Sequence, residues 1–189
     1  MSDLFQQVTD DQDPIKKIMG KIPGFSGYIE RQSRRDADKL LRETIAKRFE
    51  ELWERVSNLQ QELLATGGLM YVDDMERAAI KLRTFADRIR TASYGHSSLF
   101  DAVKINEEEL ARLYAYDSAM LDLVDKVGGA LDNVEASIGT DGIPAAIRNL
   151  ITLAQECIQT FDERREVILS GGAADAAAPD TNVGAEPVD

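Results

Sequence analysis

Hydrophobic residues recur at alternating steps of three and four along four long stretches of the chain. The clearest stretch begins at Leu110 and continues through Leu113, Met120, Val124, Val127, Leu131, Val134 and Ile138. This spacing places the apolar side chains on one face of an α-helix, because the helix has 3.6 residues per turn. The pattern therefore predicts an all-α protein built from long helices.

Three further stretches show the same periodicity, so we predict four principal helices. These cover residues 33–66, 74–93, 106–138 and 143–170. Gly67 and Gly68 are typical of a helix C-terminus, and Pro144 is tolerated in a first helical turn. Short connections between the helices favour antiparallel neighbours, which predicts an antiparallel four-helix bundle. Coiled-coil dimerisation is the alternative, because periodicity does not tell whether the partner helix belongs to a second copy of the chain.

Composition divides the chain into four segments. Residues 1–13 form an acidic, flexible N-terminus, residues 14–30 a basic amphipathic leader and residues 31–170 the helical bundle. Residues 171–189 are rich in Ala, Gly, Pro and Asp, which predicts a disordered acidic tail. The connector at 94–104 is too apolar for a free loop, and we expect an ordered strap over one end of the bundle.

Overall composition narrows the classes of partner. The chain has 189 residues, of which 43% are hydrophobic, as is typical of one globular domain. With 34 acidic and 22 basic residues the net charge is -12, which disfavours nucleic acid as a partner. The single cysteine, Cys157, permits no internal disulfide, and no signal peptide or membrane-spanning stretch is apparent. We expect a cytoplasmic protein, with peripheral membrane contact as an option.

Few residues have the pattern of a reactive site. A di-iron bundle of the ferritin type needs Glu-x-x-His motifs on two helices, but the chain has one histidine, His96, in the strap. Cys157 falls on the apolar face of the fourth helix, where a thiol is poorly reactive. No Gly-x-x-x-x-Gly-Lys phosphate loop occurs. We therefore expect no metal, no cofactor and no catalytic residue, and hence no enzyme.

Asp117 occupies a polar position within the apolar face of the third helix. A carboxylate there is costly unless it is paired, so we expect it to meet an Arg, a Lys, a tyrosine hydroxyl or His96. One interpretation is a structural device that sets the register of the helices. The other is a pocket near Asp117 and His96, which would make the protein a small-ligand-binding or catalytic bundle.

The leader and the start of the first helix concentrate positive charge. Residues 15–42 carry eight basic and three acidic side chains, an excess of 8 − 3 = +5. Lysines alternate there with Ile, Met and Phe, a composition typical of segments that bind anionic lipid. Alternatively, the apolar side chains fold back onto the bundle, or the segment docks on an acidic patch of another protein or subunit.

These patterns predict a non-enzymatic scaffold or adaptor. It would present the basic leader to an anionic membrane surface or to a protein partner, and self-association is a further option. The residues predicted to make this contact are Ile15, Lys16, Lys17, Ile18, Met19, Lys21, Ile22, Phe25, Tyr28, Arg31, Arg34 and Arg35.

Overall fold

A computed structural model describes residues 14–30, 34–92 and 107–176, and this part of the chain is helical without any β-strand. Its six α-helices are α1 (Pro14–Lys21), α2 (Phe25–Glu30), α3 (Arg34–Ala65), α4 (Val72–Thr91), α5 (Glu107–Ser137) and α6 (Ile143–Ala176). A short 3-10 helix, Leu69–Tyr71, precedes α4. The all-α class predicted from periodicity is confirmed.

The helix bounds follow the hydrophobic pattern closely except at the C-terminus. The sequence predicted an end near residue 170, but α6 continues to Ala176, into the segment expected to be a disordered tail. Two predicted regions, the acidic N-terminus at 1–13 and the strap at 94–104, lie outside the described residues. The remainder of the predicted tail, 177–189, lies outside them as well.

The four long helices pack in pairs, and the contacts give their relative directions. α3 packs on α4 and α5 packs on α6, and α4 and α6 are also in contact, as are α3 and α5. Lys81 of α4 donates to Gln155 of α6. Seven residues further along both helices, Arg88 of α4 donates to Asp162 of α6. Both residue numbers rise together, so α4 and α6 run parallel.

α3 and α5 are also parallel, whereas the two helix pairs that a short turn connects are antiparallel. Arg55 of α3 donates to Asp132 of α5 at 2.6 Å, and Gly128 of α5 lies beside Leu52 of α3. The helices joined by a short turn are antiparallel, as the sequence predicted, whereas the two parallel contacts were not part of that prediction. The reason is that alternate long helices of the chain, which point in the same direction, also pack against each other.

The predicted apolar faces are buried at the centre of these contacts. Phe85 of α4 lies with its ring centroid 4.5 Å from that of Phe49 on α3 and 6.1 Å from that of Phe161 on α6. Edge-to-face geometry of this kind is favoured by the charge distribution of aromatic rings. Three helices thus share one aromatic cluster.

A tight turn joins α3 to α4. Gly67 has a φ of +83°, and the amide of Gly68 donates to the Leu63 carbonyl at 2.6 Å. This arrangement satisfies a free carbonyl at the end of α3 and reverses the chain. A side chain at Gly67 would be strained because L-residues other than glycine rarely adopt positive φ.

Two glycine substitutions should change stability in opposite directions. Gly67→Ala should lower the free energy of unfolding by about 1 kcal/mol, because alanine is strained at positive φ. Gly129→Ala should raise it by about 0.5–1 kcal/mol, because Gly129 is inside α5 and a Cβ there meets no atom within 4 Å. Urea denaturation followed by circular dichroism measures both changes, and shifts of the same sign would contradict the assigned roles of the two glycines.

Candidate functional site

The basic leader folds as two short helices that pack against the long ones. α1 ends at Lys21 and α2 begins at Phe25, and between them Gly24 adopts a φ of +84°. Proline at position 23 and a glycine with positive φ both interrupt a helix, so the break follows from local sequence. α1 packs on α5, and α2 packs on α3. The leader therefore lies over the groove between these two parallel helices.

The apolar side of the leader faces inward. Ile18, Ile22 and Phe25 are fully buried and belong to the same hydrophobic core as the long helices. The Phe25 ring meets Tyr114 of α5 edge to face, with centroids 6.4 Å apart. This placement matches the alternative in which the leader folds back onto the bundle.

Acidic residues of α5 hold the lysines of the leader. Lys17 and Lys21 both form ion pairs with Asp122, and Lys21 also reaches Asp125 at 2.7 Å. On the opposite side of the groove, Arg48 of α3 donates to the Lys21 carbonyl at 2.7 Å. An acidic patch of the kind expected on another protein or subunit is thus present within this chain.

The ion pairs shift the pKa of the groups that form them. Partial burial acts to raise the pKa of Asp122, but hydrogen bonds from Lys17 and Lys21 outweigh this effect and hold it below its usual value. Burial likewise acts to lower the pKa of Lys21, and its bonds to Asp125 and Asp122 raise it. Both groups are therefore charged at neutral pH. The contacts remain partly open to water, because the Lys17 side chain is 45% exposed.

The other predicted contact residues are distributed between surface and undescribed regions. Ile15 is partly buried, whereas Lys16 and Met19 are exposed. Arg31 lies outside the described residues. Tyr28, Arg34 and Arg35 belong to α2 and α3, but their side chains are not among those described. The structure thus brings together Lys17, Ile18, Lys21, Ile22 and Phe25 in one docked element.

A second group of charged residues connects the long helices near the start of α5. Asp117 is 3% exposed and accepts hydrogen bonds from Arg164 of α6, at 2.5 Å from Nε and 3.4 Å from Nη2. The same guanidinium donates to Asp38 of α3 at 2.6 Å. Arg42 bonds the other oxygen of Asp38 and donates to the Ala92 carbonyl at the end of α4. We call Asp38, Arg42, Asp117 and Arg164 the buried charge network.

Electrostatics within the buried charge network keep Arg164 cationic. Burial acts against the charged guanidinium, but the carboxylates of Asp117 and Asp38 raise the pKa of Arg164 above its ordinary value. Burial also raises the pKa of Asp117, although Arg164 acts in the opposite direction. Among the described residues, every buried side-chain nitrogen or oxygen has a hydrogen-bond partner. Both oxygens of Asp117 are engaged by one arginine, which is the arrangement of a structural ion pair.

The apolar periodicity of the fourth predicted helix also singles out Arg164. Phe161 and Ile168 are seven residues apart on the fourth apolar face, and Arg164 occupies the intervening position. Asp117 interrupts the third face in the same way. Opposite charges in the interior positions of two helices favour a pair, so Arg164 was a candidate partner for Asp117.

The remaining candidates for chemistry offer no reactive arrangement in the described part of the chain. Burial raises the pKa of the Cys157 thiol to about 12, so the thiolate is scarce at neutral pH. His96 lies outside the described residues, and its predicted proximity to Asp117 stays a prediction. Across residues 14–30, 34–92 and 107–176, no group of three or more His, Cys, Asp or Glu side chains is placed to hold a metal ion.

None of the described helices has a stretch both long and apolar enough to cross a lipid bilayer. Comparison with protein-family models, with curated proteins and with solved structures found no match.

Proposed function

We propose that the protein is a non-enzymatic helical scaffold whose basic leader leaves its groove to bind an anionic membrane surface. The observation that carries this proposal is the pairing of Lys17 and Lys21 with Asp122 and Asp125. Lipid phosphates attract the same ammonium groups that these carboxylates hold. The docked leader is the resting state, and an anionic surface competes with α5 for it.

The apolar side of the leader supports the same interpretation. Ile18, Ile22 and Phe25 are buried in the groove, and they are the side chains that would enter the lipid interface after release. Undocking exposes them to water, which is unfavourable unless another apolar environment receives them. Release in solution is therefore rare, and binding to a membrane is coupled to undocking.

Flotation with lipid vesicles tests the proposal. Asp122→Asn/Asp125→Asn should increase recovery of the full-length protein with phosphatidylserine-containing vesicles, because the docked state loses its ion pairs. Lys17→Glu/Lys21→Glu should abolish recovery. Vesicles of phosphatidylcholine alone should recover none of the three proteins. Raising the salt concentration should weaken the binding, because exposed charges are screened.

A matched variant separates loss of the ion pairs from loss of negative charge. Asp132→Asn/Glu135→Gln also removes two acidic groups from α5, but these groups bind Arg55 and do not touch the leader. Its recovery should stay close to that of the unmodified protein. Two results would leave the leader as a structural part of the bundle only. One is equal recovery of Asp122→Asn/Asp125→Asn and Asp132→Asn/Glu135→Gln. The other is equal recovery of the protein with neutral and with anionic vesicles.

We further infer that α3, α4, α5 and α6 act as one four-helix bundle, with two parallel and two antiparallel contacts. The aromatic cluster of Phe49, Phe85 and Phe161 and the buried charge network support this, because each draws on at least three of these helices. The effect of Phe85→Ala on the free energy of unfolding tests it.

A further inference from the structure

The last turn of α3 and the connection that follows it expose large apolar side chains. Leu64 is 52% exposed, Leu69 is 70% exposed and Met70 is 77% exposed. Positions in a tight turn are usually polar, because they contribute nothing to the core and face water. We call Leu64, Leu69 and Met70 the hairpin tip.

The fold does not need these three side chains. Gly67 and Gly68 supply the reversal of the chain, and Leu63, which is buried, supplies the apolar contact that usually accompanies such a turn. A Cβ at Gly68 would lie 2.9 Å from Leu63 Cδ2, so the turn is closely packed on its inner side. The exposed side chains therefore point to a role outside the core.

Local contacts anchor the backbone on both sides of Leu69 and Met70. The amide of Tyr71 donates to the Gly68 carbonyl at 2.9 Å, which closes the 3-10 turn, and the partly buried Tyr71 side chain packs against the core. Leu69 and Met70 lie between Gly68 and Tyr71, the two residues that this hydrogen bond joins. An anchored backbone loses little conformational entropy on binding, which favours a preformed docking site.

The surroundings of the hairpin tip are acidic. Residues 60–77 contain four acidic side chains and one basic side chain, a net charge of 1 − 4 = -3. Glu62, Asp73 and Glu76 are exposed, and the one basic residue, Arg77, pairs with Asp74. A partner that buries the tip is therefore favoured if it carries positive charge around an apolar stripe.

We propose that the hairpin tip binds a basic amphipathic helix of a partner protein. A second copy of this chain, paired tip to tip, would bring a like-charged surface to the same place, and its own basic helix α1 is docked on α5. An anionic membrane would be repelled by the acidic rim. The site is separate from the leader, because Lys21 contacts Asp125, and α5 extends twelve residues or about 18 Å further toward the end where the tip lies.

A synthetic probe tests this proposal with the full-length protein. The probe is a fluorescein-labelled helical peptide of leucine and lysine, about 18 residues or five turns long, and fluorescence anisotropy measures its dissociation constant. Leu69→Ser/Met70→Ser should weaken binding by roughly tenfold or more, because both side chains lose their burial in the complex. Ile80→Ser is the matched control, since Ile80 is 56% exposed but lies in the middle of α4. It should bind the probe as the unmodified protein does.

Three outcomes would overturn the proposal. The first is equal affinity of the tip variant and the Ile80→Ser control, with circular dichroism showing both folded. The second is equal binding of a peptide in which glutamate replaces lysine. The third is a dimer of the unmodified protein, seen by light scattering, that Leu69→Ser/Met70→Ser converts to a monomer, because a second copy would then be the occupant. Lys17→Glu/Lys21→Glu should leave probe binding unchanged, so failure of the membrane proposal is distinguishable from failure of this one.

Discussion

Replacing Arg164 with methionine is expected to lower the free energy of unfolding by about 3–5 kcal/mol, the range for removing one partner of a buried ion pair. Arg164 is 5% exposed and bridges Asp117 and Asp38. Without it, two carboxylates face each other, one of them fully enclosed. Burial already raises the pKa of Asp117, and the loss of the nearby cation would raise that pKa further. Urea denaturation at neutral pH measures the change.

Arg165→Met provides the control for this prediction. Arg165 is the next residue of α6 and is exposed, so its replacement should change stability by no more than about 0.5 kcal/mol. The combined variant Arg164→Met/Asp117→Leu should recover much of the loss, because it removes the unpaired carboxylate as well. If Arg164→Met and Arg165→Met unfold at the same urea concentration, the buried charge network contributes nothing to stability.

Phe85→Ala is expected to lower the free energy of unfolding by about 3–5 kcal/mol, the usual range for truncating a buried phenylalanine. The Phe85 ring contacts Phe49 of α3 and Phe161 of α6, so the resulting cavity would border three helices. Such a cavity collapses poorly because rigid helices surround it. Thermal or urea denaturation gives the value.

Ile80→Ala on the same helix is the matched control. Ile80 is exposed, so truncating it removes little buried surface and should change stability by less than about 1 kcal/mol. A loss for Phe85→Ala no larger than the loss for Ile80→Ala would show that the inner face of α4 does not pack between α3 and α6. That result would contradict the inferred bundle.

The sequence predicted one apolar face per helix, and α5 shows why this was incomplete. Met120, Val127, Leu131 and Val134 of the predicted face are buried, but so are Leu121 and Leu123. α5 contacts α3, α6 and α1, so its buried surface is wider than a single stripe. Periodicity reports the dominant direction of burial, and a helix with three neighbours has more than one.

The candidate site shows a similar division. The amphipathic composition of the leader and its break near Pro23 could be recognised from residues close together in the chain. The position of the leader could not, because Lys17 and Asp122 are 105 residues apart and many other acidic residues were available as partners. Two of the four residues of the buried charge network could be recognised from the sequence, because Asp117 and Arg164 each interrupt an apolar face.

The amino-acid sequence by itself determined the helical class, the approximate ends of the long helices and the separation of apolar from charged faces. These properties depend on interactions within a few residues, which repeat with the period of the helix. Only the tertiary structure decided that α4 runs parallel to α6, that Arg164 is the partner of Asp117 and that α5 holds the leader. Such pairings join groups distant in the chain, and the packing of all the helices together selects one combination among many that have similar local patterns.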